Sequence, residues 1–114
     1  MADELFLDIV NRRIPADIVY EDDRVLAFRD INPQAPVHIL VIPKIRIETM
    51  DDLNSTHKEL VGHMFLAAAE VARAEGISED GYRVVMNCKK AGGQMVYHIH
   101  LHLLGGRQMS WPPG

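Results

Sequence analysis

His98, His100 and His102 recur at alternate positions within Tyr97–Gly106 (YHIHLHLLGG) and make up half of the six histidines in the chain. In an extended segment, residues two apart share a face and lie about 6.6–6.8 Å apart. The three imidazoles therefore line one side, while Tyr97, Ile99, Leu101 and Leu103 line the other. Three readings fit such a row. Two histidines at i and i+2 can share a zinc ion through nitrogens about 2.0–2.1 Å from the metal. The outer pair starts about 13 Å apart along the strand, however, and no CxxC or HExxH pattern accompanies it. A nucleophile needs one neutral imidazole with one nitrogen held and the other aimed at an electrophile. Its neighbours can then donate to phosphate oxygens, which only accept. The third reading is a polar strand face without chemistry, for which threonine is the commoner choice.

Just before the row stands Ala91–Gln94 (AGGQ). Adjacent glycines let backbone N–H groups turn toward an anion. The same residues suit a hairpin turn, and without a GK[ST] ending the stretch is no P-loop. Asp30 in DINP reads on its own as a turn residue, and Asn87 as a strand-end residue. His57 and His63 fall on a helix as solvent or interface residues. Cys88 is the single cysteine and reads as an incidental thiol in a reducing cytosol. Lys89 and Lys90 read as a solvated loop able to draw an acidic group toward the pocket.

At 114 residues the chain is long enough for one domain with a hydrophobic core. Apolar residues at 47% and charged residues at 25% are globular values, and a net charge of -4 gives no electrostatic footprint for nucleic acid or an anionic membrane. The acidic MADELFLDIV lacks the basic start and apolar run of a signal peptide, so a soluble, cytoplasmic protein is expected.

The row needs a scaffold. Leu5, Phe6, Ile9 and Val10 have one-sided helical spacing, ended near Pro15. DIVYEDDRVLAFRD reads as a hairpin turning at Glu21-Asp22-Asp23, and DINPQAP as a loop. HILVIP (residues 38–43) reads as a central strand. A long helix places Leu60, Val61, Met64, Phe65, Ala68, Val71 and Ala72 on one stripe, with Asn54, Ser55 or Thr56 to cap its start, Thr56 and Glu59 suiting a capping box, and Gly76 at its end. GYRVVMN and VYHIHLHLL add two strands joined by CKKAGGQM. Five strands and two helices predict an α+β fold.

His98-Ile99-His100-Leu101-His102-Leu103-Leu104 matches the His-φ-His-φ-His-φ-φ signature, with φ apolar, of the histidine triad (HIT) superfamily. EDDRVLAFRDINPQAPVHILVIPK, GYRVVMN, GGQMVYHIHLHLLGGRQM and the terminal WPPG resemble its histidine triad nucleotide-binding (HINT) branch, over nearly the whole chain. His102 separates it from the nucleotidyltransferase branch, which carries glutamine there. The resemblance implies a single HIT domain over residues 1–114: a five-stranded antiparallel sheet with one long and one short helix. It implies a homodimer with a continuous ten-stranded sheet, the tail 105–114 lying near the partner's active site.

It also implies a hydrolase that cleaves the P–N bond of purine nucleoside 5′-phosphoramidates, such as AMP-lysine or aminoacyl-adenylate-type compounds, through a nucleotidyl-histidine intermediate. His100 would be the nucleophile, oriented by the His98 carbonyl. His102 would contact the phosphate, and His38 would support the triad's hydrogen bonding. Asp30 would hold the ribose and Ile31 would line the nucleoside pocket. Asn87, Gly93 and Gln94 would surround the phosphate, and Trp111 would shape the leaving-group side of the partner's pocket. Neither a metal nor another cofactor is implied. Met95 departs from the pattern, because many relatives carry a hydroxyl or carboxylate there and methionine cannot relay a proton. A nucleotide-binding interaction module with little turnover is the alternative from a different class; retention of His100 with its whole surrounding set favours the enzyme.

Overall fold

Alternation along the strands divides this protein into two cores. The structure, a computed structural model, describes residues 4–114. Its elements are α1 (Leu5–Val10), β1 (Ile18–Glu21), β2 (Val25–Arg29), β3 (Val37–Pro43), α2 (Lys58–Ala74), β4 (Tyr82–Val85) and β5 (Leu101–Gly105). The strands form one antiparallel sheet in the order β1-β2-β3-β5-β4. The apolar run of HILVIP takes the middle position because both faces of a central strand are covered. Ile39 and Val41, with Leu101 and Leu103 of β5, pack against Leu60, Met64, Ala67, Ala68, Val71 and Ala72 of α2. On the opposite face, Leu40 and Ile42 join Leu26 and Phe28 beneath Phe6 and Ile9 of α1. His102 stands opposite Leu40 in the β3–β5 register, which puts the histidine row on the α1 side.

Three expectations change. β5 begins at Leu101 rather than near Val96. The ladder with β3 ends at the Val41–Leu101 pair, and β3 stops at Pro43, which has no N–H to extend it. Residues 97–100 instead run beside the segment after β3, where Ile99 N–H donates to the Ile47 carbonyl (2.8 Å) and Arg46 Nε–H to that of Tyr97 (3.1 Å). Ahead of α2, Asn54 is the residue of the three candidates that caps, and its capping box is closed by His57, in place of the Thr56–Glu59 pairing. Asn54 Oδ1 accepts from Thr56 N–H (2.9 Å), and His57 Nδ1 accepts from Asn54 N–H (3.1 Å), across a 3₁₀ turn at Ser55–His57. Finally, Phe65 leaves the buried stripe and is exposed with Leu66, whereas Ala67 is buried. Gly76 does follow the helix, in the left-handed region at φ 75°.

The acidic hairpin turn is tied to α2. Asp22 Oδ1 accepts the N–H groups of Arg24 (2.8 Å) and Val25 (2.9 Å). Its Oδ2 accepts from Tyr20 Oη–H (2.7 Å) and from His63 Nε2–H of α2 (2.6 Å). His63 is therefore a tether, a role its place on a helix did not reveal. The hydrogen bond to Asp22 raises the Tyr20 pKa from 10.0 to about 12. Asp22→Ala removes four acceptor contacts and is expected to cost about 2 kcal/mol in urea unfolding. The Tyr20 titration, followed by ultraviolet absorbance, should then fall back toward 10.0. Unchanged stability and titration would show that the tether is idle.

Candidate active site

A cleft of about 320 Å³ opens on the α1 side of the sheet. Phe6 and Ile9 of α1, Ile14, Phe28 and Leu40 give it apolar walls, and Asp30, Asn87, His100 and His102 supply polar groups. Ile31, Gly93 and Met95 also line it. Ile31 at 100% and Met95 at 88% exposure form its outer lip.

The expected site residues do not all reach this cleft. His98, His38, Gln94 and Trp111 stand outside its lining. His98 is 0% exposed; its Nε2–H donates to the Pro43 carbonyl (2.8 Å), so its side chain clamps the segment to the end of β3 instead of facing a phosphate. Its Nδ1 is buried without a hydrogen-bond partner among the described residues. The Gln94 amide is fully engaged away from the cleft: Oε1 accepts from Lys89 N–H (2.7 Å), and Nε2–H groups donate to the carbonyls of Glu48 (2.7 Å) and Val96 (3.0 Å). The N–H groups of Gly93 and Gln94 close onto the carbonyls of Lys90 and Lys89, each at 3.0 Å, so these two do not form the anion cradle that AGGQ suggested. Gly93 holds φ 85°, which only glycine adopts readily. Trp111 is 82% exposed on a tail anchored by Arg83 Nη2–H to the Ser110 carbonyl (2.9 Å).

Hydrogen bonds to the backbone set the tautomers of His100 and His38, and His38 sets that of His102. His100 Nδ1–H donates to the His98 carbonyl (2.8 Å), which leaves the lone pair on Nε2. His38 Nδ1 accepts from Gln34 N–H (3.0 Å), so its proton sits on Nε2 and is donated to His102 Nδ1 (2.9 Å). His102 then carries its own proton on Nε2. A free ring lone pair on His100 and an N–H donor on His102 thus stand side by side, with ring centroids 4.9 Å apart. Burial keeps the rings neutral. It lowers His100 and His38 below 6.5 and brings His98 and His102 to about 4. Asp30 opposes this weakly; its Oδ2 lies 3.4 Å from His38 Nε2, while Oδ1 accepts from Asn32 N–H (2.8 Å). Sequence reasoning also missed Arg29, whose two terminal nitrogens meet the Glu75 carboxylate at 2.9 Å each and fix the end of β2 just before Asp30.

Asp30, His38 and His102 bring potential metal ligands within 4.8 Å of one another. They do not fit a cation as placed. A metal would need the lone pair of His38 Nε2, which would move its proton to Nδ1 against the donating N–H of Gln34.

Residues 11–109 match the HIT domain family. The chain belongs to the HIT superfamily. Within it, the chain is 57% identical to the purine nucleoside phosphoramidase of Escherichia coli K12, over 96% of this chain and 92% of that one. It is 50% identical to the adenylylsulfatase HINT1 of Arabidopsis thaliana, over 96% of this chain and 76% of that one, which places it in the HINT-like branch. A HIT family hydrolase from Legionella pneumophila superposes with a TM-score of 0.95 at 57% identity, covering 96% of this chain and 98% of that one. No helix among the described residues is long and apolar enough to cross a membrane.

The neutral rings make this HIT chain acid-sensitive. His98 binds fewer protons folded (pKa about 4) than unfolded (6.5), so stability is full above 6.5 and falls as pH drops through that window. Unfolding free energy from urea titration should be about 2 kcal/mol lower at pH 5 than at pH 7.5 from His98 alone. A flat profile would mean that the ring titrates alike in the folded and unfolded chain.

Proposed function

We propose that this chain is a phosphoramidase-type hydrolase that cleaves the P–N bond of purine nucleoside 5′-phosphoramidates through a covalent nucleotidyl-His100 intermediate. The observation that carries the reading is the His100 Nδ1–H bond to the His98 carbonyl, which reserves the Nε2 lone pair for attack at the cleft. The likeness to the Escherichia coli purine nucleoside phosphoramidase supports the reaction class.

The apolar cleft walls suit a purine and sugar, Asp30 offers acceptors to ribose hydroxyls, and Ile31 covers the nucleoside at the lip. His100 Nε2 attacks the α-phosphorus, a P–N bond forms to the imidazole, and the bond to the leaving amine breaks. His102 Nε2–H steadies the phosphate oxygens in the transition state, with Asn87 and Gly93 around them. Met95 has no proton to give, so the departing amine is protonated by a histidine or by water. Water then cleaves the nucleotidyl-imidazole, releasing the nucleoside monophosphate and restoring neutral His100. No step calls on a metal or other cofactor.

The chain acts as a homodimer in this reading. The open edge of β4 pairs with its counterpart in a ten-stranded sheet, and the exposed Phe65 and Leu66 of α2 are covered. Trp111, outside its own cleft, reaches the leaving-group side of the partner's.

Mixing the protein with a fluorogenic adenosine phosphoramidate should yield an AMP adduct on His100 by mass spectrometry. His100→Ala should lose turnover by on the order of 10⁴-fold while the fold persists. Equal amine release by both proteins would end the nucleophile assignment. Removing the residues after Met109 should change the ratio of rates between amine leaving groups more than AMP affinity; a uniform loss across substrates would speak instead for destabilisation.

A further inference from the structure

Phe6 stands directly beside the nucleophile. Its ring centroid lies 5.1 Å from that of His100, with the planes at 89°, and 5.5 Å from that of His98, at 67°. Phe28 packs on Phe6 in turn, at 5.5 Å and 73°. Phe6 is 3% exposed, belongs to the smaller core and contributes to the cleft wall. It comes from α1, which has six residues and no side-chain cap at its start. So short a helix holds its place by burying Phe6 and Ile9 rather than by intrinsic helicity.

An imidazole turns about a broad χ2 torsion that a single hydrogen bond restrains incompletely. The His98 carbonyl holds one nitrogen of His100 but does not bar the ring from swinging about that contact. A perpendicular aromatic neighbour supplies the missing wall, since such pairs have a preferred geometry of their own. Phe6 also excludes water from one side of the ring, and burial is the largest influence holding His100 neutral. The other groups facing that ring are polar: the His98 carbonyl, the His102 imidazole and the Asp30 carboxylate, whose charge favours protonation.

We propose that Phe6 is a positioning residue of the hydrolytic reaction: its perpendicular packing on His100 and His98 holds the nucleophilic imidazole in one rotamer and one tautomer. The inference rests on the reading of His100 as the nucleophile. It makes α1 part of the catalytic apparatus, not only a cover for the sheet and a wall for the base.

The test compares wild type, Phe6→Leu and Phe6→Met with Ile42→Val, a packing change in the same core at a residue outside the cleft lining. The readouts are single-turnover formation of the adenylyl adduct at saturating substrate, AMP affinity, the pH dependence of the adduct rate, and ¹⁵N chemical shifts of the His100 ring. In Phe6→Leu the adduct rate at saturating substrate should fall about tenfold or more, a larger factor than any loss of AMP affinity from the altered cleft wall. The acidic limb of the rate profile should move to higher pH, and the His100 nitrogens should shift from the Nδ1–H form toward a mixture. Ile42→Val should match wild type in all four. An unchanged rate, tautomer and titration in Phe6→Leu would overturn the proposal, and so would a rate that falls only in step with AMP affinity. If Phe6→Leu does not fold, the closely matched volume of Phe6→Met decides by the same readouts. Wild type that forms no adduct would sink the hydrolase reading alone, because the ring-nitrogen spectra still report on Phe6.

Discussion

One hydrogen bond, from His100 Nδ1–H to the carbonyl two residues earlier, governs the site. A free imidazole interchanges its tautomers, and only one of them presents a lone pair at the correct nitrogen. The bond removes that freedom, but a carbonyl is a useful partner only if it is immobile. The His98 carbonyl is immobile because its own residue is anchored: the His98 ring reaches Pro43, and the next N–H reaches Ile47. Three identical side chains thereby acquire different hydrogen-bonding states from the groups they meet. The His98 ring is a clamp, His100 keeps a free lone pair that suits the nucleophile of the proposed reaction, and His102 keeps an N–H to donate.

The surroundings reinforce this by excluding water. Desolvation is the largest influence on all four site histidines, so the protein obtains neutral imidazoles from packing, not from compensating charges. The sheet makes this possible by separating tasks. The α2 face gathers the larger set of buried aliphatic side chains, while the α1 face carries a smaller core open at one end to form the cleft.

Much of this was legible in the sequence because alternation and helical spacing are direct consequences of backbone geometry. The hairpin, the central β3, the long helix and the two-sided character of the histidine segment all followed from pattern. What sequence could not supply was the identity of distant partners. Gln94 looked like a phosphate ligand beside its glycines, yet the carbonyls of Glu48 and Val96 and the N–H of Lys89 occupy its amide. His63 looked like a surface residue because Asp22 lies 41 positions away in the chain. The end of the β3–β5 ladder depended on where Pro43 falls opposite β5, which no local window reveals. Phe6 read as one apolar member of a short amphipathic helix; its contact with His100 exists only in three dimensions.

The alternation of histidine and aliphatic residues also has a bearing on how the chain finds its register. A slip of one residue in β5 would turn His102 toward the dry aliphatic layer of α2 and Leu101 and Leu103 toward the cleft face. The mispaired His102 ring would lose its hydrogen bond with His38 inside an apolar layer, where an unsatisfied polar group is costly. The alternation that gathers the histidines on the cleft side therefore also specifies the register of the sheet.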